Sequence, residues 1–544
     1  MQEVFTSLYV KMDDDKKNLE MGVLDRTASS NEAYDIPSSC LKGNTSRDDQ
    51  EMAYYGKPQQ LKRNFGFLSI AGFVSSLLST WEGMFALFLY GFSNGGPAGL
   101  VYGYIFCWIG TVATVASLAE MASMMPLSGG QYHWVSILAP KSYAKFLSYI
   151  TGWLTVIGWQ AAQASVTFLC ATMIQGVVVL NHPDYVPERW QATLILYAVL
   201  AFMIFINTFL ARWLPKIEGL ALCVHILGFF GILIPLVYLA PHGSTKDVFA
   251  KFLNEGGWQT DGVSFFVGLI TSVVSFLGAD SACHMSEEIV NSSTVVPWAM
   301  IASIMLNGVM GFALLIALLF CLGNIDDALK SPTGFPFMEI FVQATDSNSA
   351  ATGMTCVILV MIIAADIGVM ATASRLLWSF ARDNGVPGSK YISRVHEPTA
   401  LPIYSIVVGT VVSVLLALIN IGSTAAFSSF VSVNVAAFST SYIIPICLLL
   451  KKRLRQDPVK DKIHWGPWQM GPVLGPIVNI IGLIYSILTM FFSFWPAVAE
   501  VDKVSMNYSC VLFAGVLLFS IVFYIGWGKH AYKWPIVDPI KRQQ

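Results

Sequence analysis

The sequence predicts an all-α polytopic membrane protein, and three observations carry that expectation. The first is composition: 55% of the 544 residues are hydrophobic and only 12% charged, against roughly 25% charged in an ordinary soluble domain. The second is the recurrence of apolar runs of about 20 residues, each sufficient to cross a hydrocarbon core of ~30 Å. Twelve such spans are counted, at 65–92, 100–122, 146–180, 191–210, 214–239, 264–283, 297–322, 351–380, 402–419, 427–450, 472–494 and 509–525. The third is the distribution of basic residues. With the N-terminus in the cytoplasm, all but five of the 32 Lys and Arg (Arg189, Lys246, Lys251, Lys330 and Lys503) fall on the cytoplasmic side, the asymmetry expected of a multi-pass protein. An even number of spans returns the C-terminus to the same side.

Composition also excludes classes. A net charge of −2 without a basic, aromatic-interleaved stripe argues against nucleic acid. The nine cysteines are scattered with no C-x-x-C spacing, as small apolar residues and not as a disulfide framework or metal site. Neither H-E-x-x-H nor G-x-S-x-G occurs, and His284 with Glu287 and Glu288 is too small a set for a metal. An enzyme is therefore disfavoured, and no cofactor or metal is expected. Residues 1–62 are polar and charged, including Asp13-Asp14-Asp15-Lys16-Lys17, and are expected to form a disordered cytoplasmic tail without a signal peptide.

In chain order, the first span carries Ser79, Thr80, Trp81, Glu82 and Gly83. A carboxylate inside hydrocarbon costs about 2.5–3.5 kcal/mol on insertion scales and needs a partner, a wet cavity or a cation. Small and hydroxyl residues beside it favour a break that frees backbone polar groups for a ligand. A private ion pair for Glu82 is the alternative. After the second span, SLAEMASMMPLSGGQYHW (Ser117–Trp134) ends a helix at Pro126 and turns at Gly129-Gly130. That suits a gate loop or a plain turn, with Glu120 at the cytoplasmic end. The third span places Gln160 and Gln163 on a small-residue face that either packs closely or lines a cavity.

In the fifth span Glu218 is expected to pair with Arg212 or Lys216. His225 lies 11 residues in, roughly 16 Å along the helix, as a proton carrier or a core histidine. The sixth span ends in FLGADSACHMSEE, with Phe276, Gly278, Ala279, Asp280 and Ser281 repeating the pattern of the first. Two interrupted helices in corresponding positions point to an inverted-repeat transporter with a site at mid-membrane. The eighth span carries Asp366 at its middle, and Arg375 and Arg382 near its end, within reach of Glu120, Glu287 or Glu288 as a cytoplasmic gate, with snorkelling to the headgroups as the simpler alternative. Lys451–Arg455 is a topological anchor, and the last two spans carry no buried ionisable residue.

SLAEMASMMPLSGGQYHW, GADSACHMSEE and ATASRLLWSFARDNGVP resemble signatures of the amino acid–polyamine–organocation (APC) permease superfamily. LPKIEGL, SPTGFPFMEIF and GPVLGPIVNIIGLIYS are similar to its amino acid and choline transporter branch. The resemblance covers about 60–530 and implies a leucine-transporter-like fold in a 63–527 domain: inverted five-helix repeats over 63–239 and 263–450, two extra helices over 471–527, and a cytoplasmic tail over 528–544. It implies a substrate site at Ser79–Gly83 and Phe276–Ser281, and proton coupling where the first, fifth and eighth helices meet, which nominates His225 and Asp366. Some relatives couple through a fifth-helix lysine; beyond Lys216 in its first turn, none lies inside this one.

The reading is a proton-coupled importer of a small ammonium-bearing solute, such as choline, GABA or another amino acid, in the plasma membrane. Asp280 and Glu82 would draw the cationic head, and Trp81 and Phe276 would add cation–π contacts. The alternative is a nutrient sensor that keeps the fold without flux.

Overall fold

A computed structural model of the protein describes residues 45–422, 425–455, 463–503 and 505–533, and their architecture is helical. Residues 1–44 of the expected tail, Cys40 among them, and 534–544 of the C-terminal tail lie outside the described residues. Among the described residues, ten helices are long and apolar enough to cross a membrane. They are Gly96–Met124, Ala144–Asn181, Arg189–Phe209, Ala211–Leu239, Ser292–Phe320, Asn348–Arg382, Ile403–Ile421, Ser429–Arg455, Leu474–Ser493 and Ser509–Ala531. These correspond to expected spans 2–5 and 7–12. Pro97 and Pro215 sit in the first helical turn, where no amide partner is lost.

Spans 1 and 6 are absent from that set because neither is one helix. The first is Phe67–Leu78, Thr80–Ala86 and Phe88–Ser93; the sixth is Asp261–Gly268, Ile270–Ser275 and Ser281–His284. Both lie at the centre, where Ile70, Phe73, Trp81, Phe276 and Ala282 are buried. Spans 2 and 10 are 72% buried over their most apolar stretch, whereas span 12 is 11% buried there and span 9 28%. Residues buried in apolar protein and residues facing lipid have the same hydropathy, so only the packing separates them. Small residues permit the close approach: a Cβ on Gly308 would lie 2.0 Å from the Trp108 ring and one on Gly158 2.8 Å from Phe438.

Several expectations change. Residues 45–62, assigned to a disordered tail, include the helix Ser46–Tyr54, opened by a Thr45/Asp48 capping box. This segment docks because Asp48 also accepts from the amides of Asn291 and Ser292 at the start of span 7, and pairs with Arg63. A helix, Gln131–Leu138, follows the Gly129-Gly130 turn, where Gly130 has φ 55° and ψ −120°. Span 11 lacks charge but not polarity: Asn479, Tyr485 and Ser486 meet Ser117, Thr111 and Thr114 of span 2. The eight described cysteines are free.

Candidate functional site

The break in span 1 is at Ser79, whose φ of 40° and ψ of 49° place it in the left-handed region. The Thr80 amide leaves the helical ladder and donates to Asn307 Oδ1 of span 7 at 3.3 Å. The Asn307 amide group meets the carbonyls of Ser75 and Ser303. A neutral side chain thereby replaces the hydrogen bonds the break removes, as a buried backbone requires. In span 6 the ladder lapses between Ser275 and Ser281. The Phe276 and Leu277 amides tighten onto Val273 and Val274, and Ser281 returns to Gly278 O at 3.0 Å. Gly278 has φ 105°, and a Cβ there would lie 2.5 Å from Leu77 and 3.7 Å from Trp159. Leu77, Trp159 and Gly278 thus bring the two breaks against span 3. Gly278→Ala is expected to lose about 1–3 kcal/mol through strain in this backbone region, read as a lower Tm of the purified protein; an unchanged Tm would show that the unwound turn tolerates a side chain.

Both expected acids are buried, and both have partners. Glu82 Oε1 meets His225 Nδ1 at 2.7 Å, while Glu82 Oε2 and His225 Nε2 have none in the protein. Asp280 accepts from Tyr442 Oη at 2.8 Å and Gln131 Nε2 at 2.6 Å, with His284 Nε2 3.4 Å away. His284 Nδ1 lies 3.0 Å from the Ser128 carbonyl and must donate to it. Its Nε2 is therefore bare unless a further proton sits between it and Asp280. Unpartnered buried polar atoms gather around the breaks: Ser76 Oγ, Thr80 Oγ1, Trp159 Nε1, Gln131 Oε1 and Ser281 Oγ. A cavity of about 30 Å³ reaches Phe276, Gly278, Ala279, Asp280 and Tyr442, room for ordered water and not for an amine of several carbons.

The remaining nominated residues divide. Trp81 packs on His225, ring centroids 5.7 Å apart, and Phe276 on Tyr104 at 4.9 Å. Gly83 abuts Ser275, joining the outer halves of the broken spans. Gln160 stands apart from Asp280: it lines an apolar cavity with Trp153, Leu377, Val408 and Phe430, between spans 3, 8, 9 and 10. Asp366 meets neither His225 nor Glu82; it is held by Gln163 Nε2 at 2.8 Å and Thr167 Oγ1 at 2.9 Å, both from span 3. Glu218 has no partner on either oxygen, because Lys216 lies 4.4 Å from the centre of the Trp213 ring and Arg212 5.7 Å.

At the end of the bundle that carries residues 57–65, called the N-terminal face below, charges close over the site. Arg375 pairs with Glu288 at 2.7 Å, and Arg382 grips Glu287 with two nitrogens at 2.7 and 2.8 Å. Glu120, expected beside them, pairs instead with Arg453 at 2.5 Å and takes the Met470 amide. Arg453, expected to serve as a topological anchor, therefore turns inward. Asp383 receives Lys57, Tyr132 and His133, and its carbonyl takes the Lys533 amide, so the segments before span 1 and after span 12 dock on one residue. Burial would raise the Glu287 carboxyl, but Arg382 and the Ser128 amide hold it below its ordinary range. Burial lowers the His133 imidazole despite Asp383 beside it. On the opposite face a larger cavity, about 190 Å³, opens between the outer halves of spans 1 and 6 and spans 10 and 11. Ion pairs thus join the elements at one end of the bundle, and a cavity lies at the other.

Asn307, Gln131, Tyr442, Trp159 and Asp383 were not singled out by sequence reasoning. Asn307 alone carried a usable signal, an amide inside an apolar span.

A family model described as amino acid permease matches residues 65–516. A choline transporter of Saccharomyces cerevisiae is 34% identical over 476 residues, covering 87% of this chain and 83% of that protein. Amino-acid permease 2 of Neurospora crassa is 28% identical over 521 residues, covering 94% and 93%. Among solved structures, a mutant form of a manganese transporter of Eremococcus coleocola superposes with a TM-score of 0.51 at 14% identity, over 84% of this chain and 93% of that one. That last likeness concerns the fold alone.

Proposed function

The chain belongs to the amino acid permease family, and from that premise we propose that it imports a small ammonium-bearing solute together with a proton, by alternating access. Choline, GABA and other amino acids are the candidate solutes; the choline transporter among its relatives favours testing choline first. The observation that carries this reading is the pair of broken spans, each with a buried acid at its break. Unwound turns supply backbone dipoles for a solute, and acids there supply charge for its ammonium group.

In this reading twelve spans cross the plasma membrane with both termini in the cytoplasm. The broken helices are the first of two inverted five-helix repeats. The N-terminal face is then the cytoplasmic gate, built from Arg375–Glu288 and Arg382–Glu287, with Glu120–Arg453 as a flanking clamp. Asp280 and the turn from Phe276 to Ser281 receive the ammonium group, with Trp159 as a cation–π partner worth about 0.5–2 kcal/mol. Ser79, Thr80 and Gly83 complete the cradle. Glu82 is shared: its oxygen on His225 makes the two a proton-holding pair between spans 1 and 5. Asp366 is a second candidate carrier, held by donors from span 3.

Radiolabelled choline, GABA and amino acids, offered to cells expressing the protein, test the reading. Uptake of one of them that collapses when the proton gradient is removed supports it. Binding without flux would point to the sensor, and flux indifferent to protons would reject the coupling. His225→Gln keeps bulk but removes the ring that shares a proton with Glu82. It is expected to flatten the pH profile of uptake; an unaltered profile would take His225 out of the scheme.

A further inference from the structure

Glu218 is the sharpest anomaly of the buried interior: 1% solvent-accessible, with no partner on either carboxylate oxygen. It lies seven residues before His225, on the same buried stripe of span 5 as Ala221, Gly228 and Ile232. Seven residues are two helical turns, about 10.5 Å along the axis. Above it, His225 Nε2 and Glu82 Oε2 also have no partner. Three titratable groups therefore form a column pointing towards the N-terminal face, with open hydrogen-bonding positions along it.

The surroundings show what covers Glu218. The inner half of span 1, Phe67–Leu78, crosses so closely that a Cβ on Gly72 would lie 3.0 Å from the Glu218 carbonyl. On the other side, Ala221 and Val224 pack with Met361 and Ala364 of span 8. The charges of spans 1 and 8 are engaged elsewhere, with Arg382 of span 8 on Glu287. Glu82 of span 1 is on His225; Asp366 and Arg375 of span 8 are on Gln163 with Thr167, and on Glu288; Lys216 and Arg212 lie over Trp213. An acid so placed, with no cation and no donor, carries its proton, because a bare carboxylate in apolar surroundings is too costly.

We propose that Glu218 is the release-side proton acceptor of the transport cycle, a positioning group between the Glu82–His225 pair and the cytoplasm; this rests on the proton-symport reading above. When the inner half of span 1 swings away, water reaches Glu218. Its O–H bond breaks, the proton passes to water, and a carboxylate remains. That carboxylate then takes the proton held between His225 and Glu82, through water. The pair is left deprotonated and the Glu218 O–H is restored, so one proton has moved inward with no net change at Glu218.

The test uses the full chain in proteoliposomes, with radiolabelled choline, or GABA if choline is not carried, and a pH indicator. Glu218→Gln is expected to cut solute accumulation driven by a pH gradient by roughly 100-fold while leaving equilibrium exchange of internal for external solute intact, since exchange needs no proton release. Glu218→Asp should recover accumulation with a displaced pH profile. Accumulation and pH profile unchanged in Glu218→Gln would overturn the proposal. So would accumulation and exchange falling together in both variants, the mark of a purely structural role. If the wild-type protein accumulates solute without moving protons, the symport reading itself fails, an outcome visible before any variant is made.

Discussion

Asp280→Asn is expected to weaken apparent affinity for a cationic solute by about 10–100-fold, the equivalent of one charge-assisted hydrogen bond of roughly 1.5–3 kcal/mol. The substitution keeps volume but removes the charge, and it turns an amide donor towards Gln131 or Tyr442, which already donate to Asp280. Both sides of the effect fall on the turn proposed to receive the ammonium group. Membrane insertion should persist, because the spans are specified by their apolar runs and a neutral amide is cheaper in lipid than a charge. Tyr442→Phe deletes one donor and should cost less. Concentration-dependent uptake, normalised to protein in the membrane, reads the difference. Full transport at unchanged apparent affinity in Asp280→Asn would remove Asp280 from the binding site.

The second large effect concerns the ion pairs of the N-terminal face. Arg382→Met would strand Glu287 as a buried, unpaired carboxylate, at a cost of about 3–5 kcal/mol. Arg382→Met with Glu287→Leu should recover much of that, since the desolvation of both charges is then avoided. Thermal unfolding of the purified proteins reports the cycle, and a double variant no more stable than Arg382→Met would show that the ion pair is not the source of the loss. The pH dependence has a definite sign. Glu287 has its folded value below its ordinary 4.5, so its stabilisation is fully present above that value and lost as pH falls through the lower, folded one. Burial depresses the His133 imidazole, which favours its neutral form.

Much of the architecture was legible because it depends on local chemistry. An apolar run of sufficient length enters a membrane wherever it sits, and the ten continuous spans fall where the runs do. The two interruptions were legible for a similar reason: Gly, Ser and an acid inside an apolar helix weaken it on the spot, and the breaks occur at Ser79 and Gly278. The Arg375–Glu288 contact was within reach because both charges stand at span ends on one side. The docked segment before span 1 was missed because its stability comes from distant partners: Asp48 reaches amides 243 and 244 residues away. Composition alone, rich in charge, reads the same whether such partners exist or not.

What the sequence determined by itself was which stretches are membrane-spanning and where two of them break, since helix formation and burial in lipid are decided over about 20 residues. Which side chains meet was decided only by the tertiary structure. Glu82 finds His225 across 143 residues, Asp366 finds Gln163 across 203, and Glu218 finds neither of its basic neighbours in the chain. A helix presents each residue to one direction only, so a partner nearby in sequence can lie on the wrong face while one far along the chain lies opposite. Neighbouring helices in apolar surroundings choose their faces by close packing, and that choice assigns every buried charge its companion or leaves it alone.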